Sequence, residues 1–258
     1  MTGVSDSSEM TFWDHLDALR ASVFRVAVVL VAATVGLFVF KDFLFDQIIL
    51  APSKSDFFLY RWIGAEFSID LVNIEVTAQF MIHMKMSFLC AIILTFPYLI
   101  FKIWQFIAPA LYDNEKRKVR NAFLFASGLF YTGVAIGYVL IFPLMLNFFA
   151  DYQVSDAVPN MFSLSSYISL LTAMVLTFGI VFEFPTLVAL LSSLGILKKE
   201  TMRKYRRHAI CAVVILAAII TPSGDPFSLM VVAIPLYLLF EFSVLICRSS
   251  GQKSIENQ

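Results

Sequence analysis

Long polar stretches are what this 258-residue chain lacks: 15% of its residues are charged against 59% hydrophobic, and no loop is polar enough to form a separate soluble domain. One membrane domain over residues 1–258 is the expectation that follows. Net charge is zero, with 19 basic and 19 acidic side chains, so no global field points to nucleic acid or another polyanion. Cysteine is scarce. Cys90, Cys211 and Cys247 all lie inside apolar runs without CxxC or Cys/His spacing, which argues against disulfides and zinc alike and leaves them as packing residues. His83 and His208 lie near segment ends and His15 has no metal-ligand partner at helical spacing, so no metal or cofactor is expected. Catalytic templates are missing too: there is no HExxH, GxSxG, Walker loop or GxGxxG, and SGDPF is not the Gly-x-Gly-Asp arrangement of an intramembrane aspartyl protease. The chain does not read as an enzyme. The start, MTGVSDSSEM, is acidic rather than basic and the first long apolar run opens only near Ser22, which argues against a cleaved signal peptide.

What the chain does have is apolar length, several runs exceeding the roughly 18 residues that mark a spanning helix. The expected fold is all-α and integral to the membrane. Phe12, Leu16, Leu19 and Val23 fall at helical spacing with Asp14, Asp17 and Arg20 off that stripe, so residues 11–21 predict an amphipathic helix along the interface. Spans are expected at 22–40, 77–108, 120–150, 165–194, 208–221 and 227–247, the fifth and sixth short. The fifth ends at Thr221-Pro222-Ser223-Gly224-Asp225-Pro226 and reaches only about 20 Å at helical rise. Either it is re-entrant or the bilayer thins around it. With six crossings both termini share one side. Lys116, Arg117, Lys118, Arg120, the run Lys198 to His208 and Arg248 fall on that face, whereas the opposite loops hold Lys41, Lys54 and Arg61. The positive-inside rule therefore puts both termini in the cytoplasm.

Three places carry charge where it matters. The loop FKIWQFIAPALYDNEKRKVR at 101–120 joins two apolar runs, with Pro109 ending or kinking the incoming helix and Asp113 or Asn114 capping the outgoing one. Glu115 then falls in a first turn, where it complements the helix dipole, pairs with Lys116 or Lys118, or recognises a cationic ligand. Glu183, in FGIVFEFPTLV, lies about 18 Å from the helix end at Gly195, well inside the membrane, with Pro185 beside it to bend the helix. An intramembrane carboxylate is a functional-site hypothesis by default, set against a protonated Glu bonded to a neighbouring helix. Lys85 and Lys102 sit near the ends of the second span and can snorkel as anchors.

In order and spacing, HLDALR at 15–20, FIAPALYDNEKR at 106–117, FYTGVAIGYVLIFP at 130–143, FGIVFEFP at 178–185, ITPSGDPFS at 220–228 and AIPLYLLFE at 233–241 resemble TatC, the polytopic subunit of the Sec-independent twin-arginine translocase. The likeness runs from Phe12 to Cys247. It implies a receptor in the bacterial inner membrane that binds Arg-Arg signal peptides of folded cargo at its cytoplasmic face. With single-span partners of the TatA/TatB type, in a hetero-oligomer surrounded by membrane lipid, it moves cargo on the proton-motive force. By the same resemblance Glu115, Phe106 and Arg20 match the signal-peptide site, Glu183 the intramembrane polar position, and Pro52, Tyr138 and Asp225 positions on the periplasmic side. Thr221 and Leu229 lie at the presumed partner-docking surface, Leu229 where some relatives carry Gln. A proton- or ion-coupled transporter of small solutes using Glu183 is the alternative, although the paired interrupted helices of a repeat are missing.

One departure is plain: the family's glutamate in the N-terminal motif falls on Ala18, so Asp17 or Asp14 stands in for it. If Asp17 does so, Asp17→Asn weakens binding of an Arg-Arg signal peptide to membranes containing the chain. Undiminished binding removes Asp17 from the site.

Overall fold

The computed structural model describes residues 12–64, 67–107, 113–155, 157–158, 160–193, 195–221 and 223–247. Helix α1 runs from Phe12 to Val39. The expected interfacial helix at its start is thus not a separate element from the first span, because Ala18, Leu19, Arg20 and Ala21 are all strong helix formers and nothing there breaks the ladder; position 11 lies outside the described residues. The chain leaves the membrane end through a π-turn at Phe43–Ile49 and a 3-10 turn at Ala51–Ser53, then makes the short helix α2, Phe58–Ile63, closed by Gly64 at φ +69°. Only glycine enters that left-handed region without a steric penalty.

Helix α3, Ala78–Ile107, contains Pro97. A proline there withholds its N–H from the carbonyl four residues back, that of Ile93. Tyr131 repairs the defect from the next helix, its hydroxyl donating to Ile93 O at 3.1 Å. That next helix begins as α4, Asp113–Ile136, widens into a π-segment at Gly137–Ile141 and continues as α5, Phe142–Asp151. Strands β1, Leu71–Val72, and β2, Phe162–Ser163, pair in parallel with Leu71 opposite Phe162. The two long loops on one end of the bundle are thereby tied into a cap.

The run expected as one span at 165–194 is two helices, α6 at Leu164–Val181 and α7 at Phe184–Ser193, broken at Phe182 and Glu183 because Pro185 cannot extend the ladder of α6. After the short α8, Lys199–Lys204, come α9, Arg206–Ile220, and α10, Pro226–Ile246. Among the described residues five helical stretches are long and apolar enough to cross a membrane: Leu19–Val39, Ala78–Ile103, Phe123–Asp151, Leu164–Ser193 and Pro226–Ile246. At 15 residues α9 covers about 22 Å and is not one of them.

The core lies where α4, the π-segment and α5 pack on α6, with Phe130, Phe142, Met145, Met174 and Phe178 at most 2% exposed. Gly133 and Gly137 make that contact close. A Cβ on Gly133 would stand 2.4 Å from Phe178 O, and one on Gly137 2.9 Å from Met174 O, while Gly179 on α6 admits the Phe130 ring. Without a hydrophobic effect between helices in lipid, such small-residue seams supply the packing. Helix α1 is peripheral by contrast, packing chiefly on α3 with no fully buried residue in its span.

Gly133→Ala forces backbone apart and is expected to lower stability by about 1–3 kcal/mol. Gly36→Ala on α1 meets nothing within 4 Å and is expected to lose none, helical Gly being about 0.5–1 kcal/mol worse than Ala. Thermal unfolding of the two variants in detergent separates them.

Candidate functional site

Helices α1 and α3 run antiparallel. At one end Phe38 meets Phe80 with ring centroids 6.4 Å apart, and at the other Leu19, Ser22 and Val23 share a groove with Leu99, Lys102 and Ile103. The second contact brings the start of α1, with Asp17 and Arg20 exposed on it, to the end of α3. Phe106 follows Ile103 by three residues, just before α3 ends at Ile107. Glu115 is the third residue of α4. The connection 108–112 and the side chains of Phe106 and Glu115 lie outside what the structure describes, as does Asp14's.

The field around this end is otherwise basic. Lys102 donates to Gln105 Oε1 at 2.8 Å and stands 5.6 Å from the Tyr98 ring centroid, which fixes one cation near the groove. Nearer the tail, Arg206 at the start of α9 holds Glu241 of α10 at 2.6 Å, and Tyr237 donates to the same carboxylate at 2.8 Å. Sequence reasoning passed over Glu241. Its signal was the Tyr237/Glu241 pair one helical turn apart in an apolar run, facing the basic stretch before α9.

Glu183 occupies the break between α6 and α7. Its Oε1 and the hydroxyl of Thr186, three residues on, are both buried with no hydrogen-bond partner among the described residues. Pro185 explains the break, and backbone groups at a helix end lack intrahelical partners.

Three of the expected positions at the opposite end prove to be structural joints. Pro52 is buried, and its carbonyl accepts from Tyr60 at 2.9 Å. Burial pushes the Tyr60 phenol up from its ordinary pKa, so it stays a donor. Tyr138, in the π-segment, donates to Ile48 O, and Tyr167 on α6 to Ile49 O at 2.8 Å. Pro52 and Tyr138 thus belong to one joint, linked through the loop at Ile48–Ser53 and through Phe57, packed 5.8 Å from the Tyr138 ring. Asp225 stands apart from them as the N-cap of α10, accepting from Ser228 N at 2.8 Å and from the Ser223 hydroxyl. Slight burial opposes its ionisation, but the hydrogen bonds from Ser223 and Ser228 outweigh that and hold the carboxyl below the ordinary range. Thr221 is buried, its hydroxyl turned back to Ala217 O at 2.9 Å, and Leu229 is half-buried against the core.

Removal of the cap by Asp225→Ala is expected to cost about 1 kcal/mol. A folded-state pKa below the unfolded value stabilises above the unfolded pKa, near 4, and the contribution vanishes as pH falls through the folded one. The gap in unfolding midpoint between wild type and variant is thus full at neutral pH and closes on acidification.

Residues 14–235 match the family model described as Sec-independent protein translocase protein (TatC). Among curated proteins the chain is 35% identical over 257 residues to the Sec-independent protein translocase protein TatC of Blattabacterium sp. subsp. Periplaneta americana, covering 94% of this chain and 96% of that one. To the TatC of Deinococcus radiodurans it is 31% identical over 236 residues, covering 92% and 85%. A crystal structure of the twin-arginine translocase receptor TatC in DDM superimposes with a TM-score of 0.75 at 27% identity, covering 91% of this chain and 99% of that one.

Proposed function

The chain belongs to the TatC family of Sec-independent protein translocase proteins, and from that premise we propose that it is the signal-peptide receptor of a twin-arginine translocase. What supports this reading is the packing of the α1 start against the α3 end, with Glu115 in the first turn of α4 just across a short connection. Glu115 pairs with a guanidinium of the Arg-Arg signal peptide, Phe106 offers the signal peptide an aromatic surface, and Asp17 and Arg20 complete the rim. A bidentate carboxylate–guanidinium pair is a charge-assisted bond worth about 1.5–3 kcal/mol. The surrounding Lys102, Lys116, Arg117 and Lys118 repel a cation that is not so held, which rejects merely basic peptides.

The receptor sits in the bacterial cytoplasmic membrane with both termini inside, the side to which the basic loops assign them. Six helices cross, α9 among them. Beside neighbours of 21 to 30 residues, a helix of about 22 Å mismatches a ~30 Å hydrocarbon core and thins the bilayer locally where cargo passes. Single-span subunits of the TatA/TatB type dock near the α9–α10 turn, at Thr221 and Leu229, and transport draws on the proton-motive force. Glu183, with an unmatched carboxyl oxygen in the membrane, meets a polar group of the inserted signal hairpin or of a partner helix. The chain binds and conducts and does no covalent chemistry.

Binding of an Arg-Arg signal peptide and its Lys-Lys variant to membranes containing this chain tests the reading. The Arg-Arg peptide is expected to bind roughly ten- to hundredfold more tightly, the equivalent of the pair's 1.5–3 kcal/mol, and Glu115→Ala to abolish the difference. If neither peptide binds with the single-span partners present, the receptor reading falls.

A further inference from the structure

A second groove between α1 and α3, of about 520 Å³, opens at the cap end of the bundle and is lined by Val35, Phe38, Val39, Met81, Phe88 and Lys85. Its back wall is stiff. The Phe38 ring stacks on His83 at 3.9 Å, and Phe45 meets the other side of that imidazole edge-on at 5.6 Å. Besides Thr34, whose hydroxyl is turned back to Leu30 O at 2.8 Å, the one polar lining residue is Lys85, which is exposed and makes no ion pair or hydrogen bond to the described residues. An unpaired ammonium on an apolar groove of a membrane helix calls for an anion.

Depth decides which anion. Lys85 lies seven residues into α3, about 10 Å from Ala78. The 26-residue apolar stretch Ala78–Ile103 measures about 39 Å against a hydrocarbon core of ~30 Å, so its first few ångströms stand outside. The Cα of Lys85 is then several ångströms below the hydrocarbon edge. Side chains on a helix lean towards its N-terminus, which for α3 is the cap end, so the ammonium rises to the level of the lipid phosphates.

We propose that this groove is a binding site for one anionic phospholipid of the cap-side leaflet, its phosphate on Lys85 Nζ and an acyl chain laid along Phe38, Val39 and Phe88. The chain fills the gap beside α1, the helix that otherwise has α3 as its main protein contact, and so seats α1 against the bundle.

The test uses the full chain in nanodiscs of phosphatidylglycerol and phosphatidylethanolamine, with a benzophenone amino acid replacing Phe88, and reads the headgroup of the lipid captured there by mass spectrometry. Phosphatidylglycerol is expected about fivefold above its bulk share, the enrichment one cation gives near a lipid surface. Lys85→Gln returns it to the bulk share and Lys85→Arg keeps it. Enrichment that survives Lys85→Gln, or none in the parent protein, overturns the proposal. So does capture of a polypeptide rather than lipid at the same position in native membranes.

Discussion

In hydrocarbon a backbone carbonyl has no water to turn to, and each one left open costs several kcal/mol. This fold keeps prolines inside its long helices and, at the membrane end, a bent, irregular segment at Phe43–Ser53 whose carbonyls are packed away from water; both strand carbonyls. Tyrosine meets the need at Pro97 and in the irregular segment. Tyr131 serves Ile93 under Pro97, and Tyr60, Tyr138 and Tyr167 serve Pro52, Ile48 and Ile49 in turn. Those last three hydroxyls come from α2, the π-segment and α6, so they satisfy the backbone and also bolt the cap to the helices that carry it. A phenol suits the task because its ring packs with the core while its tip remains a donor.

The same logic ranks the helices by rigidity. The seam at Gly133, Gly137 and Gly179 lets α4 and α6 approach until backbone touches side chain, and Phe96 stacks on Phe130 at 3.5 Å to draw α3 into that contact. Helix α1 has no such seam. The candidate ligand end is therefore built from one fixed wall, α3 and α4, and one wall that leans on it.

Much of this was legible in the chain, and the gaps have physical causes. Apolar length marked the helices, and a charge in an apolar run marked Glu183. The GxxxG spacing in FYTGVAIG went unread, and spacing alone does not say which helix answers it; Gly179 does so only in three dimensions. Pro97 went unread as well, and a proline in the sequence does not name the Tyr131 hydroxyl that mends its ladder. Pro52 and Tyr138 came to notice singly, as periplasmic positions, because nothing in a linear reading joins residues 86 positions apart. The amphipathic stripe at 11–21 misled in one respect: periodicity gives a helix its faces and no bend, and a bend needs a residue that breaks the ladder, which Ala18 to Ser22 do not contain.

Against so much care over backbone groups, the unmatched side chains carry information. Among the described residues the buried polar atoms without partners are those of His83, Ser87, Glu183 and Thr186. They form two pairs, each one helical turn apart. An unsatisfied buried polar group costs about 1–3 kcal/mol, and more when charged. His83 recovers part of that cost through its stacked rings, Phe38 and Phe45, and is a packing element with a polar edge. Glu183 has no stacked ring beside it, only the Thr186 hydroxyl one turn on. It sits where Pro185 has already interrupted the helix, so its carboxyl meets a local opening rather than a continuous apolar wall. Four tyrosines satisfy carbonyls in this fold, and none of them donates to this carboxyl.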